Sequence, residues 1–337
     1  MGFHLSDGAL RTYIYGDEYE DIAAAWDWDL IPGITVDYGG TPLECASTKN
    51  TGLGAFVGGV SDGEVGIAAM WYTNPSTKSL SWQKAWFFLD DDVQHIMVSG
   101  ISSTSDSPVL SVLDQRRHSG MVVVDGQETQ AFENAPVRTS LWHGDVGYAF
   151  PDFGDTAEIK VDVAQKTGDW SKIGTSTQPP ATVDIFTASI HHKTLPVPIS
   201  YTVFPGTTLD GFFSKSRQGR LRTIQNDEDV SAVFDEKYNN AYIVFWNEEG
   251  GAVEFTPSEK CAPIIIKSGV NLALIYKLDT GNVTVADPSQ LLKTADVAFL
   301  LGLGRKPPHW GQGRARVLNF ELPSGGIAGS SVTKFIS

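Results

Sequence analysis

The stretch Glu158-Ile159-Lys160-Val161-Asp162-Val163 has an apolar residue at every second position. Alternation with a period of two is typical of a β-strand with one face in the core and the other in water. The same pattern recurs at 65–71 and 272–278, and the 34 glycines and 17 prolines supply tight turns between such short elements. The sequence therefore predicts an all-β protein, a multi-sheet antiparallel β-sandwich.

Turn signals support this interpretation, whereas helix signals are few. Asp125-Gly126 and Asp90-Asp91-Asp92 each follow an apolar run and predict hairpin turns. The best helix signal is at residues 17–25, where Asp17 is placed to cap the first turn. We therefore expect at most short helices between the strands.

The length of 337 residues fits one large β domain or two domains that share an interface. A polar stretch at 215–229 carries four basic residues and then a run of carboxylates. We interpret this stretch as the seam between a larger β-sandwich domain at 1–219 and a smaller C-terminal β-sandwich at 220–337.

The formal net charge of −15 restricts the partners. Nucleic acid is disfavoured, because neutralising phosphates requires clustered Lys and Arg. A polyanionic glycan is disfavoured more weakly, so we expect a neutral sugar rather than a polyanion. No apolar run reaches the roughly 18 residues of a transmembrane helix, so no membrane span is expected.

The first ten residues lack the basic and then apolar segments of a secretory signal. We expect a cytoplasmic protein if Met1 is the native start, and an extracellular one if the chain is a fragment of a secreted enzyme. Two cysteines, Cys45 and Cys261, cannot define a disulfide framework. Two buried free thiols are expected in preference to a bridge.

Three motifs that often carry chemistry have simpler explanations in this sequence. Gly59-Val60-Ser61-Asp62-Gly63 fits the pattern of serine hydrolases, but a strand-like run follows it where a helix is required, which favours a hairpin turn. Asp90-Asp91-Asp92 lies at a hairpin tip, where three consecutive carboxylates cannot all face one ion. His191-His192 lacks further ligands at zinc spacing. We therefore predict no catalytic residue, no metal site and no cofactor.

Aromatic residues beside turn residues are the best candidates for binding a sugar. Aromatic rings offer apolar faces to sugar C–H groups, while neighbouring polar side chains bind the hydroxyls. Partial packing under loops is the alternative for each of them. The predicted carbohydrate-binding residues are Trp71, Tyr72, Trp142, His143, Asp145, His309 and Trp310.

Eleven segments along nearly the whole chain form one ordered pattern: Gly16–Tyr19, Trp26–Thr35, Lys84–Asp91, Ser99–Ile101, Leu113–Arg116, His143–Phe150, Gly168–Trp170, His191–His192, Tyr201, Pro205–Gly206 and Val285–Gln290. In this order they resemble the polysaccharide lyases of family 8, which include hyaluronate, chondroitin AC and xanthan lyases. The resemblance implies a central supersandwich-like domain followed by a C-terminal β-sandwich.

The resemblance also implies that the catalytic Asn, His, Tyr and Arg of the family belong to an N-terminal helical domain. No segment of this sequence matches that domain, and Leu30 stands where the family has a basic residue before Ile-Pro-Gly. No catalytic residue is therefore carried over, and the sequence favours a protein without lyase catalysis.

Three functions remain open. The first is a carbohydrate-binding protein, a mushroom-type lectin on the lyase scaffold. Because agglutination requires multivalency, we expect such a lectin to be a homo-oligomer or to carry two sites per chain. The second is a fragment of an active lyase that eliminates uronic-acid polysaccharides with a helical domain. The third is a structural β protein without a sugar function. The sequence favours the lectin.

Overall fold

The computed structural model describes residues 3–44, 49–129 and 135–336. Strands dominate this part of the chain, and they pair antiparallel in four sheets. The prediction of an all-β fold of several antiparallel sheets is confirmed.

In chain order, the strands and the α-helix are β1 (Thr35–Asp37), β2 (Val57–Ser61), β3 (Gly66–Thr73), β4 (Leu80–Phe88), β5 (Gln94–Ser103), β6 (Val109–Arg117), β7 (Val122–Val124), β8 (Gln127–Glu128), β9 (Ala135–Val137), β10 (Ser140–His143), β11 (Val146–Ala149), β12 (Ala157–Gly168), β13 (Ala181–His192), β14 (Ile199–Pro205), α1 (Leu209–Ser216), β15 (Leu221–Asn226), β16 (Val230–Asp235), β17 (Asn240–Phe245), β18 (Gly251–Phe255), β19 (Ile264–Ser268), β20 (Leu272–Lys277), β21 (Asn282–Ala286), β22 (Thr294–Leu301), β23 (Ala315–Glu321) and β24 (Val332–Phe335). Short 3₁₀ turns occur at Asp90–Asp92, Trp170–Lys172 and Gly325–Ile327.

The chain forms two compact units, each assembled from separate stretches. The first unit comprises 1–53, 72–82 and 101–216, and the second comprises 54–71, 83–100 and 217–337. The strand order of the nine-stranded sheet is β2-β3-β4-β5-β14-β11-β10-β7-β8. The sequence-based division at 219/220 stays a prediction.

The five-stranded sheet of the first unit has the order β1-β6-β13-β12-β9. β12 and β13 pair along their whole length, from Ala157 opposite His192 to Gly168 opposite Ala181. Ile159 and Val161 are buried, whereas Lys160 between them is partly exposed. The alternation that predicted this strand therefore reflects its two faces.

One core of the first unit lies between this sheet and the N-terminal segment. The sheet and the N-terminal segment both contribute buried side chains to this core: Phe3, Ile22, Ala25, Trp26, Trp28, Ile31, Ile34, Val36, Leu110, Val112 and Ile185. The helix predicted at 17–25 is absent from this described segment, which forms successive turns instead. The Glu18 carboxylate accepts hydrogen bonds from the backbone of Ile14, Tyr15 and Gly16, so it stabilises the preceding loop rather than a helix.

Two sheets form a sandwich in the second unit, with orders β15-β16-β17-β20-β21-β24 and β18-β19-β22-β23. Apolar side chains from both sheets form one core. On β20 the alternating residues Leu272, Leu274 and Tyr276 are buried as the pattern predicts, but Ala273 and Ile275 are buried as well. This strand therefore has no wet face, because β2 packs close to β20 and β21.

Both predicted hairpins occur. Asp125 and Gly126 adopt positive φ angles of 50° and 80° between β7 and β8, as a two-residue turn requires. Asp91 and Asp92, between β4 and β5, also have positive φ. Arg220, Lys237 and Tyr238 all bind the Asp91 carboxylate, which stabilises this left-handed turn. No helix among the described residues is long and apolar enough to cross a membrane.

Candidate functional site

A cleft of about 930 Å³, which we call the Trp142 cleft, opens on the first unit. It lies among the N-terminal loop, the end of β6 and the turn after it, the β10–β11 hairpin and the start of β13. The residues that line it are Tyr15, Asp17, Glu18, Arg116, Arg117, His118, Ser119, Gly120, Met121, Trp142, His143, Gly144, Asp145, Thr182, Val183 and Asp184.

Arg116 forms part of the cleft floor and is 1% exposed. Its Nε pairs with the buried carboxylate of Asp114, two residues earlier on β6. Its Nη2 donates to the carbonyl oxygen of Thr12 at 3.1 Å and to Tyr19 Oη at 3.2 Å. Its Nη1 has no hydrogen-bond partner among the described residues.

His143, the last residue of β10, lies beside Arg116 and is 2% exposed. Its ring stacks between His118, with centroids 5.5 Å apart, and Phe186, with centroids 4.0 Å apart. Burial, with a smaller contribution from the Arg116 charge, lowers the pKa of His143 to about 3. The imidazole is therefore neutral at physiological pH.

The cleft walls combine aromatic and acidic groups. Trp142 is half-buried, and its Nε1 donates to the carbonyl oxygen of Thr207 at 2.9 Å, which fixes the ring orientation. Tyr15 is 71% exposed and donates its hydroxyl to Asp145. This contact raises the pKa of Tyr15, because the adjacent carboxylate disfavours a phenolate. Asp145 has a φ of 57°, since it follows Gly144 in the tight β10–β11 turn.

Three of the seven predicted carbohydrate-binding residues, Trp142, His143 and Asp145, line this cleft together. Tyr72 belongs to the same unit but is buried: its ring stacks on Trp82 with centroids 4.8 Å apart, and its hydroxyl donates to Asp7. It lies outside the cleft lining.

The other three predicted residues belong to the second unit. Trp71 on β3 is 39% exposed. Trp310 is 2% exposed, lies in the sandwich core and donates its Nε1–H to Tyr276 Oη at 3.0 Å. His309 Nε2 and the same Tyr276 hydroxyl are 3.0 Å apart. The role of these residues in sugar binding stays a prediction.

Tyr15, Arg116, His118 and Met121 are among the cleft residues that sequence reasoning missed. Arg116 carried a signal, because Asp114 and Arg116 are two apart at the end of an apolar strand and so share one face. Opposite charges on one face of a largely buried strand indicate an internal ion pair. Nothing in the sequence placed that strand end beside residues 142–145.

A second cleft of about 790 Å³ lies on the first unit, against the β12–β13 face of the five-stranded sheet. Lys160, Asp162, Lys166 and His191 are among its polar residues. Its residues do not overlap those of the Trp142 cleft, which makes it a useful source of control substitutions.

The motifs set aside in the sequence are structural in the described parts of the chain. Ser61 ends β2, and its Oγ donates to the Val65 carbonyl across the β2–β3 hairpin. The residues described contain no group of three His, Cys, Asp or Glu side chains arranged to hold a metal ion. Cys261 is partly exposed and its Sγ accepts from Ser258 Oγ, whereas Cys45 lies outside the described residues, so their pairing stays a prediction.

Comparison with known domain families gives two matches in the order that the fold suggests. Residues 1–216 match the super-sandwich domain of polysaccharide lyase family 8, and residues 222–296 match the C-terminal β-sandwich domain of the same family. The chain belongs to polysaccharide lyase family 8. The resemblance seen in the sequence is thereby confirmed.

Individual family 8 proteins cover most of this chain. Chondroitinase-AC from Pedobacter heparinus is 28% identical over 306 residues, which is 88% of this chain and 41% of that protein. Xanthan lyase from Bacillus sp. (strain GL1) is 27% identical over 311 residues, which is 84% of this chain and 31% of that protein. The chain thus spans less than half the length of these curated relatives.

Solved structures of the family share the fold. A chondroitinase AC lyase superposes with a TM-score of 0.83 at 24% identity, covering 97% of this chain and 47% of that one. The Paenibacillus xanthan lyase gives a TM-score of 0.80 at 20% identity, covering 99% and 34%. At these identities the structures establish the family 8 fold and nothing about the ligand.

Proposed function

We propose that this chain is the β-sheet portion of a polysaccharide lyase and that its Trp142 cleft binds a segment of the polysaccharide. The observation that carries the proposal is the cleft itself, with its half-buried tryptophan, exposed tyrosine and polar floor, on a chain of family 8. Named relatives are a chondroitinase and a xanthan lyase, which favours a polysaccharide as the ligand.

The cleft has the chemistry that sugar binding needs. The exposed faces of Trp142 and Tyr15 offer apolar surface to sugar C–H groups. The exposed carboxylates of Asp17 and Asp184 are acceptors for sugar hydroxyls. Because Thr207 fixes the indole and Asp145 binds the Tyr15 hydroxyl, both rings are held in place before a ligand arrives.

β-Elimination removes the proton next to a sugar carboxylate, forms a carbon–carbon double bond and releases the glycosidic oxygen, which takes up a proton. This chemistry needs a placed base and donors that stabilise the developing charge. We assign binding and orientation of the polymer to the Trp142 cleft, and the proton transfers to the helical domain that the family resemblance implies.

The lectin hypothesis concerns the same cleft but is the weaker proposal. The two relatives described above are lyases, and only three of the seven residues predicted to bind sugar line the cleft. A neutral-sugar lectin would bind neutral oligosaccharides in the Trp142 cleft and form oligomers. A lyase portion would bind fragments of an eliminable polymer.

Calorimetric titration of the purified chain with defined oligosaccharides tests the proposal. The panel contains chondroitin, hyaluronan and xanthan fragments together with a neutral cello-oligosaccharide. We expect binding to at least one fragment of an acidic polymer, and Trp142→Ala should weaken it about tenfold, which is about 1.4 kcal/mol. Trp170→Ala, the same change at a partly exposed tryptophan of the first unit that lies outside the cleft lining, should leave the affinity unchanged.

Three outcomes would overturn parts of the proposal. Failure to bind any oligosaccharide, or unchanged affinity in Trp142→Ala, would remove the cleft as the binding site. Binding confined to the neutral oligosaccharide would favour the lectin. Unsaturated products, detected by the ultraviolet absorbance of their new double bond when the chain alone meets these polymers, would place the proton transfers in this chain.

A further inference from the structure

We propose that the loop at residues 302–314, which we call the basic loop, associates with a lipid bilayer that carries anionic headgroups. The outer face of the adjoining four-stranded sheet takes part in this contact. The proposal goes beyond the proposed function, because this surface of the second unit lies outside the lining of the Trp142 cleft. It follows from an exposed apolar face and a group of cations at the same end of one sheet.

The outer face of the four-stranded sheet is apolar near the basic loop. On β22 every second side chain from Ala295 to Leu301 enters the sandwich core, so Ala298 and Leu300 lie on the opposite face. Residues directly opposite each other in an antiparallel sheet share a face. The register therefore places five residues together, each at least partly exposed: Ile265, Ala298, Leu300, Ala315 and Val317.

Leu303 adds a further apolar side chain at this end of the sheet, two residues beyond the end of β22. It is 90% exposed, the highest value of any large apolar side chain in the described chain. Gly304 next to it has a φ of 135°, and a Cβ there would come within 2.9 Å of Ala262. The loop backbone therefore packs closely on the protein, while the leucine side chain stays in solvent.

Two cations brace the basic loop. Arg314, just before β23, donates from Nη1 and Nη2 to the carbonyl oxygens of the two glycines beside Leu303. Lys306 Nζ donates to the carbonyl oxygens of Gly311 at 2.6 Å and Gln312 at 3.1 Å. Because these contacts hold the loop before binding, little further ordering is needed when Leu303 enters a bilayer.

The same loop concentrates positive charge in a chain of net charge −15. Between Asp296 and Glu321 the sequence has four basic residues and no carboxylate. Lys260 joins this group, because its carbonyl oxygen accepts from the backbone N–H of Arg305 at 3.3 Å. Lys260, Arg305 and Arg314 are all exposed. Each basic residue that lies close to an anionic membrane surface adds to the attraction.

A bilayer suits this surface better than a polyanionic polysaccharide does. Sugars bind to aromatic faces with polar groups beside them, whereas the five outer-face residues and Leu303 are aliphatic. Apolar side chains that enter the acyl boundary, with Lys and Arg reaching the headgroups around them, are typical of proteins that lie on a membrane.

Acidic groups determine which side of this surface faces the bilayer. Charges separated by more than about 8 Å are largely screened at physiological ionic strength, so nearby carboxylates matter most. Glu254 on β18 lies opposite Ile265, and Glu259 precedes Lys260. Since β18 and β23 are opposite edges of the sheet, we expect the β22–β23 side, with Leu303, to face the headgroups.

Cosedimentation of the purified chain with vesicles tests the proposal. One set contains phosphatidylcholine with about 30% phosphatidylserine, and the other contains phosphatidylcholine alone. We expect binding at least about tenfold tighter to the anionic set at about 0.1 M salt, and loss of most of it at about 0.5 M salt. Trp142→Ala should bind the vesicles as the parent chain does.

Exposed residues at the two ends of β22 supply matched variants. Leu303→Asn removes the apolar side chain and should weaken vesicle binding about tenfold. Leu291→Asn, at a leucine that is 73% exposed before the start of β22, should not change it. Arg305→Gln should weaken binding about fivefold, whereas Lys293→Gln at the far end should not.

Three results would overturn the proposal. The first is equal binding to neutral and anionic vesicles, and the second is an equal loss of binding in Leu303→Asn and Leu291→Asn. The third is a chain that binds dextran sulfate through Arg305 but binds no vesicles, which would make the basic loop a site for a soluble polyanion. A tenfold preference for anionic vesicles that falls in Leu303→Asn and Arg305→Gln alone would support it.

Discussion

Asp114 and Arg116 lie two positions apart on β6 and form an ion pair that is almost completely buried. Tyr19 and Tyr148 add hydrogen bonds to the Asp114 carboxylate. A buried ion pair gains little over apolar packing, but removing one partner leaves an uncompensated charge in a low-dielectric interior. Breaking the pair is therefore costly, and this cost keeps Asp114 and Arg116 in place on the floor of the Trp142 cleft.

Asp114→Asn is expected to lower the free energy of unfolding by about 3 kcal/mol, because it leaves the Arg116 guanidinium buried without a counter-charge. Chemical denaturation followed by tryptophan fluorescence measures this change. Asp162→Asn, at a half-exposed pair with Lys166, is the matched control and should change the free energy by less than about 0.5 kcal/mol. Equal losses of unfolding free energy in the two variants would show that the buried pair costs no more to break than the half-exposed one.

Local patterns in the sequence predicted the sheets well. The alternation at 158–163 corresponds to β12, and Asp125-Gly126 forms the predicted hairpin turn. These features depend on residues close in sequence, so their signals are local. The burial of both faces of β20 could not be predicted this way, because the second face is covered by β2, a strand far away in the sequence.

The helix assignments were wrong for identifiable reasons. Residues 17–25 form turns instead of the predicted helix. The Glu18 carboxylate accepts a hydrogen bond from the backbone of Tyr15 in the preceding loop, and the Ile22 side chain packs in the core. The helix α1 was missed because Gly211 weakens its propensity. The sequence did contain a capping signal for α1: Thr208, whose Oγ1 accepts a hydrogen bond from the backbone N–H of Gly211 near the start of the helix.

The candidate site was predicted in part. Trp142, His143 and Asp145 are neighbours in sequence, so turn context was sufficient to find them together. Arg116 lies on β6 of the five-stranded sheet, whereas the β10–β11 hairpin belongs to the nine-stranded sheet, so tertiary packing brings them together. Tyr15 reaches the hairpin through the path of the N-terminal loop, and no local pattern encodes either contact.

His4 provides a prediction on pH dependence. Burial lowers its pKa, but hydrogen bonds to Asp29 and Asp7 outweigh burial and raise it to about 9. Because the pKa of His4 in the folded chain lies above the unfolded value of 6.5, the protonated imidazole stabilises the fold. This contribution is complete below pH 6.5 and is lost as the pH rises towards 9. The loss should be about 3 kcal/mol.

The measurement is the free energy of unfolding at several pH values between about 6 and 10. His4→Gln should flatten the decline seen in the parent chain over this interval. His191→Gln is a suitable control, because burial lowers the pKa of His191 rather than raising it. A decline that persists unchanged in His4→Gln would show that other groups cause it.

Gly147 on β11 gives a prediction about packing behind the cleft hairpin. A Cβ at this position would overlap the ring of Phe212, which is buried on α1. Gly147→Ala is therefore expected to destabilise the chain by about 1–3 kcal/mol, the usual cost of overpacking a core. Gly174→Ala, at an exposed position with its nearest atom 3.9 Å away, should be neutral in the same denaturation experiment.

Trp310 distinguishes a core residue from a sugar-binding one. It is 2% exposed within the sandwich core of the second unit, and its Nε1–H binds Tyr276. Trp310→Ala should cost about 3–5 kcal/mol of stability by opening a cavity. Trp310→Phe keeps most of the volume, so it should retain the fold and the oligosaccharide affinity measured by calorimetry. A loss of sugar affinity in a folded Trp310→Phe chain would instead establish a binding site in the second unit, as the sequence predicted.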